Sequence, residues 1–542
     1  MAAIFSFRSF ALTAALLPAA LSAQTASPAA HSLSLQEALA AAVDNNPDIR
    51  VLRLDRAQQD ARVAQARANF DPVLGAAATA SYNESLGAVP PAGGNPNDPA
   101  NPYYASYFTT SNRRKSLELG VSRNLEWGGS VKLDYTAARS KSNPVYSFIP
   151  GAAALNPNFT SGITFSIVQP LLAGAGFDAA SLNLRLARLA RTGTLADSSE
   201  SLQMRLIEVE RAYWALLAAQ ENYQVTLEAR TLAQTFLGDT QARIKAGTIA
   251  PIEEVTAEAG VANNEETVIT AENRWRSAED NLRRLIAPGN PALFAGEIHI
   301  DPPTALSEPK VDIAAALQAA HANRPARASM SARAEEARLN AKAARRNRLP
   351  RLDLSGSYGG SGSTGPVDFE KRFSGDPSDP AQNAGTGWSG ANSQAFGRKL
   401  ENWSVGLNFS WAIGNRGPSA AYTDARIAQV KAEAGLESYD AGLELEVRNA
   451  ARNYESGYKR VLAAQANHRL QERKLDAEKT RYQNGLSTSY QVLQFQNDLS
   501  SARSAEIAAL TDYQLARSAL ETATGNYLRY RNITLTDLPA PE

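Results

Sequence analysis

The chain has 542 residues, with 55 Lys+Arg balanced by 55 Asp+Glu and no cysteine. That length exceeds one ordinary hydrophobic core, so two or more structural units are expected. Charge balance leaves no basic excess to release phosphate counterions, so no nucleic-acid partner is expected, and the absent cysteine excludes disulfide scaffolds, thiolate metal sites, cysteine nucleophiles and lipidation at Cys.

Residues 1–23 read as a signal peptide, with Arg8 as its one charge, an apolar stretch from Phe10 to Leu17, and small residues through Ser22-Ala23. The apolar stretch is too short to span a bilayer, and no later run reaches 18 apolar residues. The mature chain is therefore expected to stay in the periplasm, leave the cell, or enter a membrane as β-strands.

The mature chain is written twice. Asn45-Asn46-Pro47 and Phe70-Asp71-Pro72 have counterparts in Asn323-Arg324-Pro325 and Arg348-Leu349-Pro350, at one offset: 325 − 47 = 278 and 350 − 72 = 278. Glu208-Val209 and Arg243-Ile244-Lys245-Ala246-Gly247-Thr248 parallel Glu446-Val447 and Arg481-Tyr482-Gln483-Asn484-Gly485-Leu486 at a second: 446 − 208 = 238 and 481 − 243 = 238. Copy one thus holds 278 − 238 = 40 extra residues between Pro72 and Glu208. A period this long marks a duplicated half-molecule rather than a solenoid.

Each copy is expected to run as a medium helix, a Pro stop, strands, then very long helices. Leu202, Leu206, Val209, Tyr213, Leu216, Gln220, Tyr223 and Leu227 step alternately by four and three, and Leu443, Val447, Ala450, Tyr454, Gly457, Val461, Ala464, His468, Gln471 and Leu475 repeat the pattern. Such spacing is a coiled-coil seam, and a rod of about 100 Å cannot bury its seam alone.

Six segments alternate with period two: Leu74–Tyr82, Leu117–Trp127, Val131–Thr136, Ile163–Ile167, Leu352–Tyr358 and Trp403–Trp411. Apolar-out, polar-in dyads with aromatic ends suit a transmembrane β-barrel, although a soluble sandwich shows the same alternation. Pro-, Asn- and Gly-rich tracts between strands, including residues 90–96 and a long loop over 362–402, favour the barrel, and Glu126-Trp127-Gly128-Gly129 reads as a tight turn at the opposite rim. Two or three strands per copy cannot close a barrel, and an open edge cannot sit in lipid, so several chains must share one.

The signal peptide, the duplicated helix–strand–helix plan, the paired tips Ala246-Gly247-Thr248 and Asn484-Gly485-Leu486, and the junctions Gln169–Gly174 and Trp411–Gly417 together resemble the TolC-type outer-membrane channel family. The resemblance covers essentially the whole mature chain. It implies an α+β membrane protein: a homotrimeric outer-membrane β-barrel continuous with a long periplasmic α-helical coiled-coil barrel, built from two internal repeats. In those terms residues 24–287 are repeat 1, with strands over about 72–170 and tip-forming helices over about 177–286; 288–310 is an equatorial linker. Residues 311–524 are repeat 2, with strands over about 351–411 and helices over about 418–524; 525–542 is an equatorial tail.

The implied function is a passive, water-filled exit channel of a tripartite efflux pump or type I secretion system, located in the bacterial outer membrane and reaching into the periplasm. Implied partners are two further copies, a periplasmic adaptor protein, an inner-membrane transporter and outer-membrane lipid. By the same resemblance Gly247, Thr248, Gly485 and Leu486 are adaptor-docking candidates, beside their expected role as turn residues. Entrance candidates are Tyr482, Ser487, Gln491 and Gln494 around the second tip, Gln491 and Gln494 standing where relatives often carry acidic side chains. Glu253 and Glu254 after the first tip supply negative charge, either to the entrance or to the helix dipole.

No enzyme is expected. The four histidines form no HExxH and no pair at helical ligand spacing, so neither a metal nor a cofactor site is read. Gly360-Ser361-Gly362-Ser363-Thr364-Gly365 fits a dinucleotide fingerprint in letters, but Pro366 and a polar stretch follow it rather than an apolar helix. The competing class is a periplasmic coiled-coil adaptor or structural protein. The strand count stays open: with the hairpin of residues 116–136 in the lipid a trimer has 18 strands, without it 12.

Overall fold

The structure, a computed structural model, describes residues 31–89, 106–142, 155–288, 296–302, 306–365 and 387–533. The signal peptide, much of the 288–310 linker, residues 534–542 of the tail and the 90–96 tract lie outside the described residues.

In chain order, copy one supplies β1 (His31–Ser32), α1 (Leu35–Asn45), α2 (Pro47–Ala68), β2 (Val73–Val89), β3 (Ser106–Asn124), β4 (Ser130–Ser142) and β5 (Asn158–Pro170). It continues with α3 (Phe177–Ala180), α4 (Leu182–Lys245) and α5 (Ile252–Ile286). Copy two supplies β6 (Ile298–His299), α6 (Ile313–Asn323), α7 (Pro325–Asn347), β7 (Arg351–Thr364), α8 (Trp388–Phe396) and β8 (Leu400–Ser410). Then come α9 (Arg416–Gln483), α10 (Ser489–Ala523) and α11 (Tyr527–Tyr530).

Positions 278 apart share local chemistry. Ser34 caps α1 in a capping box, its hydroxyl accepting from the Glu37 N–H at 3.3 Å while Glu37 accepts from the Ser34 N–H at 2.9 Å. Asp312, at the equivalent place (312 − 34 = 278), caps α6 by accepting from the Ala314 and Ala315 N–H groups. The medium helix of each copy is in fact two helices. Pro47 and Pro325 open the second one, because an N-terminal helical position needs no N–H and suits the fixed φ of proline, and Pro72 and Pro350 stand between that helix and the strands.

The chain divides into two compact units. The first holds residues 1–50, 205–309 and 455–516. There β1 and β6 form a short parallel pair, His31 opposite Ile298, so part of the 288–310 segment is strand. The Tyr213 hydroxyl donates to the Leu33 carbonyl at 3.1 Å, and Gln220 exchanges hydrogen bonds with the Ile300 backbone. Asn46 donates to the Leu285 carbonyl at 3.0 Å, covering an orphan acceptor at the end of α5. Glu279 is buried and accepts from Arg283 and from the Ile298 N–H, each at 2.7 Å. The expected seam is buried from Leu206 to Gln220, then slips: Val225, Ala229, Ala233 and Phe236 are buried instead of Tyr223 and Leu227. Tyr223 leaves the seam to stack on Trp275 at 5.2 Å.

The second unit holds residues 51–204, 310–454 and 517–542. Its centre is one antiparallel six-stranded sheet in the order β2-β3-β4-β5-β7-β8. β2 matches β7 at the first offset (351 − 73 = 278), and the end of β5 matches the end of β8 at 410 − 170 = 240, so β3 and β4 are the insertion of copy one. The hairpin is no side branch; it lies inside the sheet. β3 ends at Asn124, so Leu125 and Trp127 belong to the turn rather than the strand, where Gly128 at φ 96° lets the chain reverse.

In this unit Arg324 occupies the place that Asn46 holds in copy one (324 − 46 = 278). It donates to the Thr522 carbonyl at the end of α10 and pairs with Glu200 and Glu446 at 3.1 and 3.2 Å. Burial pushes the Glu200 carboxyl above the usual carboxylate range, against the pull of Arg324. The long loop expected over 362–402 is not all loop: it contains α8 and the start of β8, because α8 finds its stability in packing on the sheet rather than in its own sequence.

Candidate functional site

Two regions carry functional chemistry: the sheet of the second unit and the helix tips of the first.

The register sorts the sheet into two unlike faces. Leu74, Val121, Leu133, Phe165, Tyr358 and Trp403 pair successively across all six strands, forming one unbroken apolar row. Each is between 42% and 75% exposed. The neighbouring row on that face carries Val131, Ile167 and Val405, and Leu354, Leu407 and Phe409 extend it toward the helix-linked end. On the other face the paired row Ser122, Lys132, Ser166, Ser357 and Ser404 is polar, with hydroxyl bridges Thr79–Ser116 at 2.6 Å and Ser357–Ser404 at 2.8 Å. Lys132 and Asp134 pair there at 2.9 Å. The row of exposed apolar side chains is far larger than a water-facing surface tolerates without a partner. β2 and β8 are the edges of the sheet, each with one side unpaired among the described residues.

α8 lies on the apolar face, over β5 and β7. Ala391 and Ala395, one turn apart, are fully buried, and a Cβ on Gly360 or Gly362 would fall on the Ala395 or Ala391 carbonyl oxygen. Asn392 accepts from the Tyr135 and Ser161 hydroxyls at 2.9 and 2.7 Å, and Phe396 stacks on Tyr135. Two of the three glycines of the apparent dinucleotide fingerprint, Gly360 and Gly362, are therefore the floor under a helix. The paired glycines, with alanines four apart, were the one available signal for it.

The tips are built alike. Gly247 and Gly485 take φ of 71° and 76°. The Thr248 N–H reaches back to the Arg243 carbonyl at 3.0 Å, and the Leu486 N–H to the Arg481 carbonyl at 2.9 Å, closing both long helices with the same Schellman turn. Gly247, Thr248, Gly485 and Leu486 are all exposed. So are Ile252 and Tyr490, five residues beyond each glycine, at 66% and 67%. These two were missed in the sequence because at helical spacing an apolar residue reads as core. Their equivalence, 490 − 252 = 238, was the signal.

The entrance candidates fall into three settings. Tyr482 is buried against Phe236 and beneath Arg243, with its hydroxyl 3.1 Å from Ser489, so it packs inside one chain. Glu253 accepts from the Ser489 N–H at 3.2 Å and Glu254 from Gln241 at 3.0 Å; both are half-buried and joined to the hairpins. Ser487 bonds Gln491 at 2.8 Å and contacts the buried Glu478, while Gln494 donates to Asp498 at 3.1 Å; Gln491 and Gln494 are exposed. Among the described residues no group of His, Asp and Glu is placed to hold a metal ion. No described helix is long and apolar enough to cross a membrane, which says nothing of strands.

The family model for outer membrane efflux proteins matches residues 316–526. Over that span the chain is similar to outer membrane efflux proteins. Comparison with curated proteins returns no match. Among solved structures, likeness of fold extends over nearly the whole chain. The outer-membrane channel OprN matches with TM-score 0.62 at 16% identity, covering 91% of this chain and 90% of its own. The CmeC outer membrane channel of Campylobacter jejuni matches with TM-score 0.60 at 15% identity, covering 96% and 94%. The open state of the MtrE outer membrane channel of Neisseria gonorrhoeae matches with TM-score 0.56 at 18% identity, covering 91% and 89%. Identities of this size carry the fold alone.

Proposed function

We propose that the protein is the outer-membrane exit duct of a tripartite efflux or type I secretion machine, a passive water-filled path powered elsewhere. The observation that carries this reading is the exposed apolar row from Leu74 to Trp403 on a sheet with two open edges. In lipid an apolar face is covered and open edges are forbidden, so β2 of one copy pairs with β8 of the next until the sheet closes. Three copies of six strands make an 18-stranded barrel, in the size range that leaves an aqueous channel. The polar row with Ser122, Lys132 and Ser166 then lines the lumen.

The remaining assignments rest on that geometry. Residues 24–287 and 311–524 act as the two repeats, their long helices forming a periplasmic tunnel, with 288–310 and 525–542 at its belt and 1–23 as export signal. Gly247, Thr248, Gly485 and Leu486, joined by Ile252 and Tyr490, meet a periplasmic adaptor that connects to an inner-membrane transporter. Ser487, Gln491 and Gln494 with Glu253 and Glu254 face the entrance, and Tyr482 stiffens it from within the hairpin. A soluble adaptor leaves the apolar row without a cover, which is why the duct is preferred.

Because the chain has no cysteine, crosslinking can be confined to chosen positions. Cysteines at edge positions of β2 and β8 are expected to crosslink neighbouring copies into a closed three-chain species that requires detergent and conducts in planar bilayers. A detergent-free monomer without crosslinks sinks the reading.

A further inference from the structure

At the loop end of the sheet, away from the helices, the apolar face changes character. Arg113 and Lys115 of β3 stand directly opposite Lys141 and Arg139 of β4, four cations in a two-by-two block on the face that carries Leu119 and Leu133. Like charges directly opposite one another destabilise a strand pair, so such a block needs a counter-charge. Among the described residues none of the four forms an ion pair, and Arg139 keeps a buried Nε without a hydrogen-bond partner. Among the described residues the one carboxylate diagonal to the block, Glu84, accepts instead from the Tyr82 hydroxyl at 3.2 Å. Aromatic rings flank the cations: Arg113 lies over Tyr82 and Arg139 over Phe159, and Phe159 meets Trp388 of α8 edge-on at 5.5 Å. From the helix-linked end outward the face therefore runs from an apolar belt through aromatics to cations, with α8 as a side wall.

We propose that this corner binds the phosphate groups of an anionic outer-leaflet lipid, whose acyl chains lie along the Leu119–Leu133 belt. The inference rests on the barrel reading, which turns this face to lipid and this end to the cell exterior. A phosphate between the two cation pairs replaces like-charge repulsion with charge-assisted hydrogen bonds, and Arg139 has an Nε–H without a partner. The apolar belt selects a lipid over the free ion, because only a lipid continues onto it.

The test uses the purified full chain in detergent with equal amounts of bisphosphorylated lipid A and the same lipid stripped of phosphate, read by native mass spectrometry. The unaltered protein is expected to retain the phosphorylated form at least about tenfold better, given the contribution of each basic residue near an anionic lipid surface. The R113Q/K115Q/R139Q/K141Q variant is expected to lose that preference while still conducting in planar bilayers, and K115Q/K141Q alone to lose part of it. Inorganic phosphate in excess is expected to leave the preference in place. Equal retention of both lipids by a conducting unaltered protein, an undiminished preference in a conducting variant, or full displacement by inorganic phosphate overturns the inference. A protein that neither needs detergent nor conducts removes the duct reading instead.

Discussion

The phenol of Tyr482, in the last turn of α9, lies 3.1 Å from the hydroxyl of Ser489, the first residue of α10. The bond closes the second tip from inside, in a cluster with Phe236, Leu475, Val492 and Leu499, while Glu253 takes the Ser489 N–H from the first hairpin. Tyr482→Phe keeps the ring and loses the hydroxyl bond, so a destabilisation of about 1 kcal/mol is expected. Tyr482→Ala empties the pocket and is expected to cost about 3 to 5 kcal/mol. Thermal melting and protease sensitivity of the tips measure both, and an unchanged alanine variant rejects the packing role.

The tip glycines and their exposed neighbours separate turn chemistry from docking. Gly485→Ala forces a side chain into a positive-φ position and is expected to cost about 1 kcal/mol or more, with Gly485→Asn milder. Ile252→Asp and Tyr490→Asp alter exposed side chains and are expected to leave the melting temperature alone while abolishing export in a complemented deletion strain. Normal export from the double aspartate variant removes the tips as a docking surface.

Outward and lumenal rows should respond oppositely to charge. Leu133→Arg or Phe165→Arg places a cation in the apolar row that the duct reading turns to lipid and is expected to cost about 2 to 4 kcal/mol, visible as loss of the assembled species from membranes. Ser166→Lys on the polar row is expected to assemble normally and to shift ion selectivity in single-channel recordings. Equal tolerance on both faces contradicts the assignment of sides.

Glu279 holds two arginines and the Ile298 N–H in a buried network. Glu279→Ala leaves those donors without an acceptor and is expected to cost about 3 kcal/mol, with Glu279→Gln intermediate because it still accepts from Ile298. Melting curves of the purified variants decide the order, and alanine no worse than glutamine refutes the network.

Burial, aided by the charges of Asp301 and Glu37, pushes the Tyr213 phenol up to about 12 from an ordinary value of 10. The folded state therefore keeps its proton at pH values where the unfolded chain loses it. The stabilisation is complete below pH 10 and drains away as pH rises from 10 to about 12. Tyr213→Phe is expected to flatten the melting temperature across that window, and a variant curve parallel to the unaltered protein's rules the phenol out as its source.

Much of the architecture was legible because the signals are local. The offsets of 278 and 238 located the two copies, Gly247 and Gly485 located the tips, and the dyads located six strands, although β3 starts 11 residues before its expected edge (117 − 106 = 11). α8 was illegible: nine residues with serines on the exposed side carry too little periodicity, and what holds them is contact with Gly360 and Gly362. Ile252 and Tyr490 looked like seam, and Tyr482 looked like a pore residue, because spacing along one helix does not say which neighbours that helix has.

The sequence by itself determined the matched landmarks, the alternation of each strand and the positive-φ turns, since periodicity and backbone preference act within a few residues. Tertiary structure decided which strands are neighbours and in what register. Only that pairing lines up Leu74 through Trp403 as one apolar row, inserts β3 and β4 within the sheet, and sets Arg113 and Lys115 against Lys141 and Arg139. Each of these joins residues far apart in the chain through backbone hydrogen bonds, which the order of side chains along one strand does not encode.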